Sequence, residues 1–121
     1  MEQLRKKAEI LGISLTEQQC LQFQKYYEYL IEKNKVMNLT GITEKEEVID
    51  KHFIDSLGLA VKMDLTKPLT VLDLGTGAGF PGIPLKIAFP NLTITLLDSL
   101  NKRIKFLDEV IDLLELTGIE T

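Results

Sequence analysis

The residues most able to do chemistry lie at positions 71–82, VLDLGTGAGFPG, where an acid and a series of glycines accompany an apolar run. Four of the chain's eight glycines fall here, and Gly75, Gly77 and Gly79 alternate just after Asp73. Because glycine has no Cβ, it lets the backbone turn tightly and approach a bound molecule closely. In open parallel sheets, ligands bind where such loops leave the carboxyl ends of strands. We therefore predict a ligand-binding loop.

Two classes of cofactor fit this loop. Gly77 to Gly82 read as G-x-G-x-x-G, and Asp98 follows Gly77 by 21 residues, which matches the fingerprint of a nicotinamide dinucleotide site. The other class is S-adenosylmethionine, whose pattern is an acid at the strand end followed by G-x-G-x-G, here beginning at Asp73. A carboxylate at this position repels a pyrophosphate, whereas adenosylmethionine carries an ammonium and a sulfonium and no phosphate. The residues therefore favour a methyltransferase over a dehydrogenase and leave both open.

The two acids have different expected roles. Asp73 acts on a cationic ligand either directly or through hydrogen bonds to the loop. Asp98 ends the second apolar run and is placed to accept hydrogen bonds from the two ribose hydroxyls in either class. The helix after the loop is expected to offer free N–H groups to an anionic part of the ligand. A purely structural turn is the weaker interpretation, because one or two glycines would suffice for it.

The elements around the loop must hold these groups at one edge of a sheet. Two short apolar runs, residues 69–74 and 92–98, are typical of parallel strands buried on both faces. Residues 80–89 and 100–116 have helical patterns, and we expect the second helix to end at Gly118. This order predicts the first β-α-β-α of a doubly wound, Rossmann-like α/β fold. Since two parallel strands do not make a stable sheet, we expect the chain to be the front part of a longer protein.

The predicted sheet domain, residues 68–121, follows a helical cap, residues 1–67. Gly12 is placed to end a first helix, and Thr16 with Gln19 has the pattern of a capping box for a second. The second helix carries apolar residues at spacings of three and four, which predict a stripe that faces the core: Cys20, Phe23, Tyr27, Leu30 and Ile31.

Residues 43–63 are predicted to form one further helix, with Thr43 and Glu46 as a second capping box. Within this helix, His52 and Asp55 share one face with a neighbouring serine. They either lie beside the loop and shape a substrate pocket, or they tie the cap to the sheet, with Asp55 holding His52. The second interpretation is favoured.

Composition limits the partners. The 121 residues carry 14 basic and 18 acidic side chains, so the net charge of −4 does not attract nucleic acid, and any such contact depends on local clusters. Lys102 and Arg103 belong to the best placed cluster, because it begins the helix behind Asp98. A single cysteine excludes an internal disulfide and fits a cytoplasmic protein. No run approaches the ~20 apolar residues of a membrane span, and no residues have the spacing of a metal site.

Four segments occur in the order and at the spacing of a known family: NKVMNLTGI, VIDKHFIDSL, VLDLGTGAGFPGIPL and TLLDSLNKRIKFL. From about Leu15 onward, the sequence resembles the glucose-inhibited division protein B family of bacterial small-subunit ribosomal RNA guanine-N7 methyltransferases. The resemblance implies an S-adenosylmethionine-dependent enzyme that methylates N7 of a guanine in 16S rRNA of the small ribosomal subunit. Because guanine N7 has an exposed lone pair, this reaction needs no base, and we assign no catalytic residue.

Carried over by position, the resemblance implies two groups of cofactor contacts. Those toward methionine and ribose are Gly75, Gly77, Gly79 and Phe80, and those along ribose and adenine are Asp98, Ser99 and Leu100. The family also uses an adenine-holding pair and a later arginine that lie beyond Thr121, so we expect the chain alone to be inactive. Separately, we expect the protein to be a monomer. Two alternatives stay open: a non-catalytic RNA- or protein-binding module with a relic cofactor loop, and an NAD-dependent oxidoreductase.

Overall fold

The structure, a computed structural model, describes all 121 residues. In chain order the elements are α1 (Glu2–Ile10), α2 (Glu17–Met37), α3 (Lys45–Val48), a π-helical segment (Ile49–Ile54), α4 (Asp55–Leu57), a 3-10 segment (Gly58–Val61), β1 (Thr70–Leu74), α5 (Gly82–Ala88), β2 (Thr93–Leu97), α6 (Asn101–Leu113) and β3 (Ile119–Glu120). This order confirms the predicted class, a helical region followed by the first units of a Rossmann-like α/β sheet. None of the helices combines the length and the apolar character that crossing a membrane would require.

The three strands are parallel and lie in the order β1-β2-β3. β1 and β2 pair along their whole length, from Thr70 opposite Thr93 to Leu74 opposite Leu97. β3 is a third strand that the sequence analysis does not predict, because its two residues are too few to show a pattern. Gly118 was predicted to end α6, but it has a positive φ of 71° and leads into β3 instead.

Only one face of the sheet is covered. Helix α5 begins directly over it, since a Cβ on Gly82 would lie 2.4 Å from Leu96 and 2.9 Å from the carboxylate of Asp73. Side chains alternate along a strand, so Leu72 and Leu74 point to the opposite face, where they are 57% and 71% exposed. The prediction that both strands are buried on both faces is therefore wrong for β1, because no element of this chain packs against its second face.

Helix α2 connects the helical region to the sheet region by packing against α5 and α6. Phe23 and Leu30 are fully buried, as the apolar stripe predicts. Cys20 and Tyr27 are partly buried and pack against this core, as predicted, and the Tyr27 hydroxyl donates its hydrogen to the carbonyl of Thr43. Tyr26, which the predicted stripe does not include, is completely buried. One continuous core of buried side chains extends from α1 to β3. The domain boundary at residues 67 and 68 stays a prediction.

The segment predicted as one helix over residues 43–63 is irregular. Helix α3 begins after Glu44, and no side chain caps it, so the predicted capping box of Thr43 is wrong. The helix then widens into the π-helical segment, a rare geometry that is frequent at functional sites. Four apolar side chains of this irregular stretch are buried in the core, namely Val48, Ile49, Phe53 and Leu57.

The two capping boxes predicted from the sequence give a stability test. Thr16→Ala is expected to lower the free energy of unfolding by about 1 kcal/mol, because the Thr16 hydroxyl accepts the N–H of Gln19 at 3.1 Å. Thr43→Ala is the matched control and is expected to change it by less than about 0.5 kcal/mol, because Thr43 caps no helix. Urea denaturation of both variants measures the difference, and equal losses would contradict the assignment of the caps.

Candidate functional site

Three glycines of the loop between β1 and α5 have backbone conformations that other residues rarely adopt. The φ angles of Gly75, Gly77 and Gly79 are 66°, 61° and 104°. At Gly79 space is also lacking, because a Cβ would lie 2.7 Å from the hydroxyl oxygen of Tyr26 and 2.7 Å from Cδ1 of Ile83. The alternating glycines are therefore required by the path of the backbone as well as by any ligand.

Asp73 holds this loop from inside the protein. Its side chain is buried, and its Oδ2 accepts hydrogen bonds from the Thr76 hydroxyl at 2.6 Å and from the Gly82 N–H at 3.0 Å. Burial raises the pKa of Asp73, although these two hydrogen bonds act in the opposite direction. Of the two roles open to Asp73, the geometry is that of a residue acting through hydrogen bonds to the loop.

The first N–H groups of α5 are already occupied. The N–H of Gly82 donates to Asp73, the N–H of Ile83 donates to the carbonyl of Gly79 at 2.8 Å, and Pro84 has no N–H. The expectation that this helix offers free N–H groups to an anion is therefore wrong. A pyrophosphate at this position would have to displace the Asp73 carboxylate, so the loop disfavours a dinucleotide.

Asp98 lies at the outer edge of the same loop. Its Oδ2 accepts the Gly77 N–H at 2.9 Å, and its Oδ1 accepts the Leu100 N–H at 3.0 Å. The guanidinium of Arg103 lies 3.5 Å from both oxygens. Burial by itself raises the pKa of Asp98, but the two N–H groups and Arg103 outweigh it and lower the pKa. The charged carboxylate of Asp98 thus connects the glycine loop to the segment that follows β2, which are the two predicted groups of cofactor contacts. Ser99, the next residue, is exposed.

His52 lies against the end of the loop. Its ring stacks on the ring of Phe80, with centroids 4.3 Å apart and an interplanar angle of 8°. Its Nε2 is 2.8 Å from the hydroxyl of Thr40, so Thr40 rather than Asp55 is its hydrogen-bond partner. Burial lowers the pKa of His52, whereas the charge of Asp55 raises it.

A cleft of about 510 Å³ opens beside Phe80. It is lined by Asp55, Ser56, Gly58, Leu59, Lys62, Phe80 and Pro81. The side chains of Asp55 and Lys62 are exposed, and neither makes an ion pair. The structure therefore brings both predicted residues near Phe80: His52 stacks on its ring, and Asp55 lines the same cleft as Phe80.

Comparison with known proteins assigns the family. A family model described as GidB, rRNA small subunit methyltransferase G, matches residues 19–121. The chain belongs to the GidB family. The curated relatives carry the name ribosomal RNA small subunit methyltransferase G. The relative from Lachnoclostridium phytofermentans is 61% identical over 109 residues, which are 90% of this chain and 45% of that protein.

Two further GidB relatives show the same relation. The protein from Staphylococcus saprophyticus is 56% identical over 108 residues, which are 89% of this chain and 45% of the relative. The protein from Bacillus thuringiensis is 51% identical over 119 residues, which are 98% of this chain and 50% of the relative. The chain spans about half the length of the curated relatives it matches.

The two predicted RNA-contacting residues of this GidB chain, Lys102 and Arg103, have different surroundings. Lys102 is exposed and makes no ion pair, whereas Arg103 is engaged with Asp98. No three His, Cys, Asp or Glu side chains lie close enough together to hold a metal ion. The pair proposed for RNA contact thus contains one free and one occupied cation.

Three residues at the site were missed from the sequence. Tyr26 donates its hydroxyl hydrogen to the carbonyl of Ala78 at 2.5 Å, Thr76 binds Asp73, and Thr40 contacts His52. Thr40 lies in the NKVMNLTGI segment that carries the family resemblance, which was the available signal. Thr76 likewise lies in the VLDLGTGAGFPGIPL segment of the resemblance. Spacing does not reveal the contact of Tyr26, since a one-residue shift within the apolar stripe distinguishes Tyr26 from Tyr27.

His52 is the only histidine, so its titration is observed alone in proton NMR spectra. We expect a pKa below the ordinary value of 6.5, because burial disfavours the imidazolium, and a further decrease in Asp55→Asn, which removes a favourable charge. Because the unfolded chain then binds a proton more readily than the folded one, stability should fall as the pH drops below about 6.5. Asp64→Asn is the control. If Asp55→Asn leaves the pKa of His52 unchanged, Asp55 is not the charge that raises it.

Proposed function

We propose that this chain is the cofactor-binding part of an S-adenosylmethionine-dependent methyltransferase that modifies N7 of a guanine in 16S rRNA. The observation that carries the proposal is the Asp73 carboxylate on the Gly82 N–H, which occupies the place of a cofactor phosphate at the start of α5. Membership in the GidB family supports the same class of reaction. The proposal concerns the whole protein, of whose relatives the chain spans about half.

The cofactor fits the loop through backbone, carboxylate and apolar contacts. Gly77 and Gly79 allow the backbone to approach the nucleoside, and Asp98 accepts hydrogen bonds from the ribose hydroxyls. S-adenosylmethionine, when bound, supplies a methyl group on a positively charged sulfur. Gly75, Phe80, Ser99 and Leu100 complete the proposed contacts.

Arg103 must change position for Asp98 to hold a ribose. Its guanidinium lies over both carboxylate oxygens at 3.5 Å, and its side chain is 38% exposed. Ribose hydroxyls that bind Asp98 compete with this long contact, and the released guanidinium points a cation toward solvent. We therefore propose that Arg103 contacts Asp98 before the cofactor binds and contacts an RNA phosphate afterwards. Lys102 can contact a phosphate in both states.

The cleft beside Phe80 is the proposed position of the target base. Guanine presents two N–H donors on its Watson–Crick edge, and the free carboxylate of Asp55 is a suitable acceptor for them. Its N7 lies on the opposite edge with a free lone pair, so the protein has to orient the base and does not have to remove a proton. His52 supports this cleft by stacking on Phe80. We further propose that the whole protein is cytoplasmic and monomeric and that it acts on the small ribosomal subunit.

Calorimetry with S-adenosylmethionine, S-adenosylhomocysteine and NAD tests the cofactor. We expect the first two to bind and NAD not to bind. Asp98→Asn should weaken binding of S-adenosylhomocysteine by about tenfold or more, because it removes hydrogen bonds to a charged acceptor. Asp112→Asn, an exposed position on α6, is the matched control. Binding of NAD in preference to S-adenosylhomocysteine would refute the methyltransferase assignment. Binding of none would favour a relic loop or an incomplete site, since the chain spans about half of its relatives.

Binding to a 16S rRNA fragment at several salt concentrations tests the basic cluster. Lys102→Ala should reduce the slope of log affinity against log salt by about 1, because one phosphate contact is lost. Lys67→Ala is the control, since Lys67 precedes β1 and lies at the opposite end of the sheet from the loop. If Lys102→Ala leaves the salt dependence unchanged, Lys102 does not contact phosphate.

A further inference from the structure

One side chain from the helical region reaches into the centre of the glycine loop. Tyr26 lies on α2 and is completely buried, and its hydroxyl donates to the carbonyl of Ala78 at 2.5 Å. The other hydrogen bonds that shape this loop come from within β1, β2 and their connections, including those to Asp73 and Asp98. Tyr26 is therefore the only residue of the helical region that hydrogen-bonds to the loop.

The backbone of the loop packs closely against the Tyr26 hydroxyl. Gly79 follows Ala78, and a Cβ at that position would lie 2.7 Å from the Tyr26 hydroxyl oxygen. A side chain at residue 79 and a tyrosine at residue 26 thus exclude each other. The requirement for glycine at residue 79 arises in part from α2, and not only from the approach of a ligand.

The ring of Tyr26 fixes the direction of the hydroxyl. It stacks on Phe53 with centroids 5.5 Å apart, and it contacts the ring of Phe80 at 5.7 Å. Phe53 belongs to the π-helical segment and Phe80 follows the glycines of the loop. Because both neighbours are packed aromatic rings, the hydroxyl has one defined position, and the Ala78 carbonyl has to meet it there.

We propose that Tyr26 is a positioning residue for the cofactor: its hydroxyl orients the Gly77–Gly79 backbone, so that the helical region forms part of the nucleoside site. This inference rests on the proposed function for the identity of the ligand. The position of the loop itself is a property of the free protein. A buried carbonyl that loses its only side-chain donor relaxes toward other partners, and the loop then departs from the conformation that a ligand selects.

Tyr26→Phe is the direct test, because it keeps the ring and removes only the hydroxyl. Tyr27→Phe is the matched control, since the Tyr27 hydroxyl donates to Thr43 at 3.1 Å, away from the loop. Calorimetry should show about tenfold weaker binding of S-adenosylhomocysteine for Tyr26→Phe and no change for Tyr27→Phe. Binding to Tyr26→Phe that equals binding to the unmodified chain would overturn the proposal.

Amide hydrogen exchange separates positioning from general stability. The N–H groups of Gly79 and Phe80 donate to the carbonyl of Thr76 within the loop, and the N–H of Ile94 donates to Gly118 between β2 and β3. In Tyr26→Phe, we expect about tenfold faster exchange at Gly79 and Phe80 and unchanged exchange at Ile94. Acceleration at all three sites, or failure of the variant to fold, would assign Tyr26 to the stability of the core and overturn the proposal.

The two measurements also distinguish the inference from the proposed function. If the unmodified chain binds no S-adenosylhomocysteine, the proposed cofactor site fails for this chain, and the exchange rates at Gly79 and Phe80 still decide whether Tyr26 positions the loop. If exchange at these sites accelerates while affinity stays the same, the loop is held by Tyr26 for a reason other than the cofactor, and the proposal is refuted.

Discussion

The buried carboxylate of Asp73 is the constraint on which the rest of the site depends. It connects the end of β1 to the start of α5 by accepting the N–H of Gly82 and the hydroxyl of Thr76. The ten residues from Asp73 to Gly82 are thereby closed into a compact loop whose backbone turns only because its glycines accept positive φ. The same carboxylate places a negative charge at the positive end of α5, where other proteins of this architecture bind a phosphate.

Asp98 lies at the outer edge of the same loop as Asp73, and its environment shifts its pKa in the opposite direction. Burial raises the pKa of Asp73, whereas N–H donors and Arg103 lower the pKa of Asp98 despite its burial. The inner acid is thus committed to the backbone, and the outer acid stays charged at the edge of the sheet. Both carboxylates, at the ends of neighbouring strands, accept backbone N–H groups of the loop segments, and the ribose contact proposed for Asp98 would add to that role.

The helical region contributes to the same loop from the other side. Tyr26 reaches the Ala78 carbonyl, and the π-helical segment brings His52 onto the ring of Phe80. The cleft beside Phe80 is consequently bounded by residues of both regions. One continuous core makes this possible, because α2 packs against the helices that flank the strands.

The sequence by itself determined the order of the two longer strands and the helices that follow them, the glycine loop, the Thr16 capping box and the family, because these depend on residues close together in the chain; it did not determine β3 or the irregular segments within residues 43–63. Tertiary structure decided that Tyr26 rather than Tyr27 reaches the loop, that Asp73 faces inward and that Arg103 covers Asp98. It also left the face of β1 that carries Leu72 open. Periodicity identifies a helix face and not the residue that meets a given partner. The contact from Tyr26 to Ala78 joins residues 52 positions apart, so only the packing of α2 against the sheet region selects it.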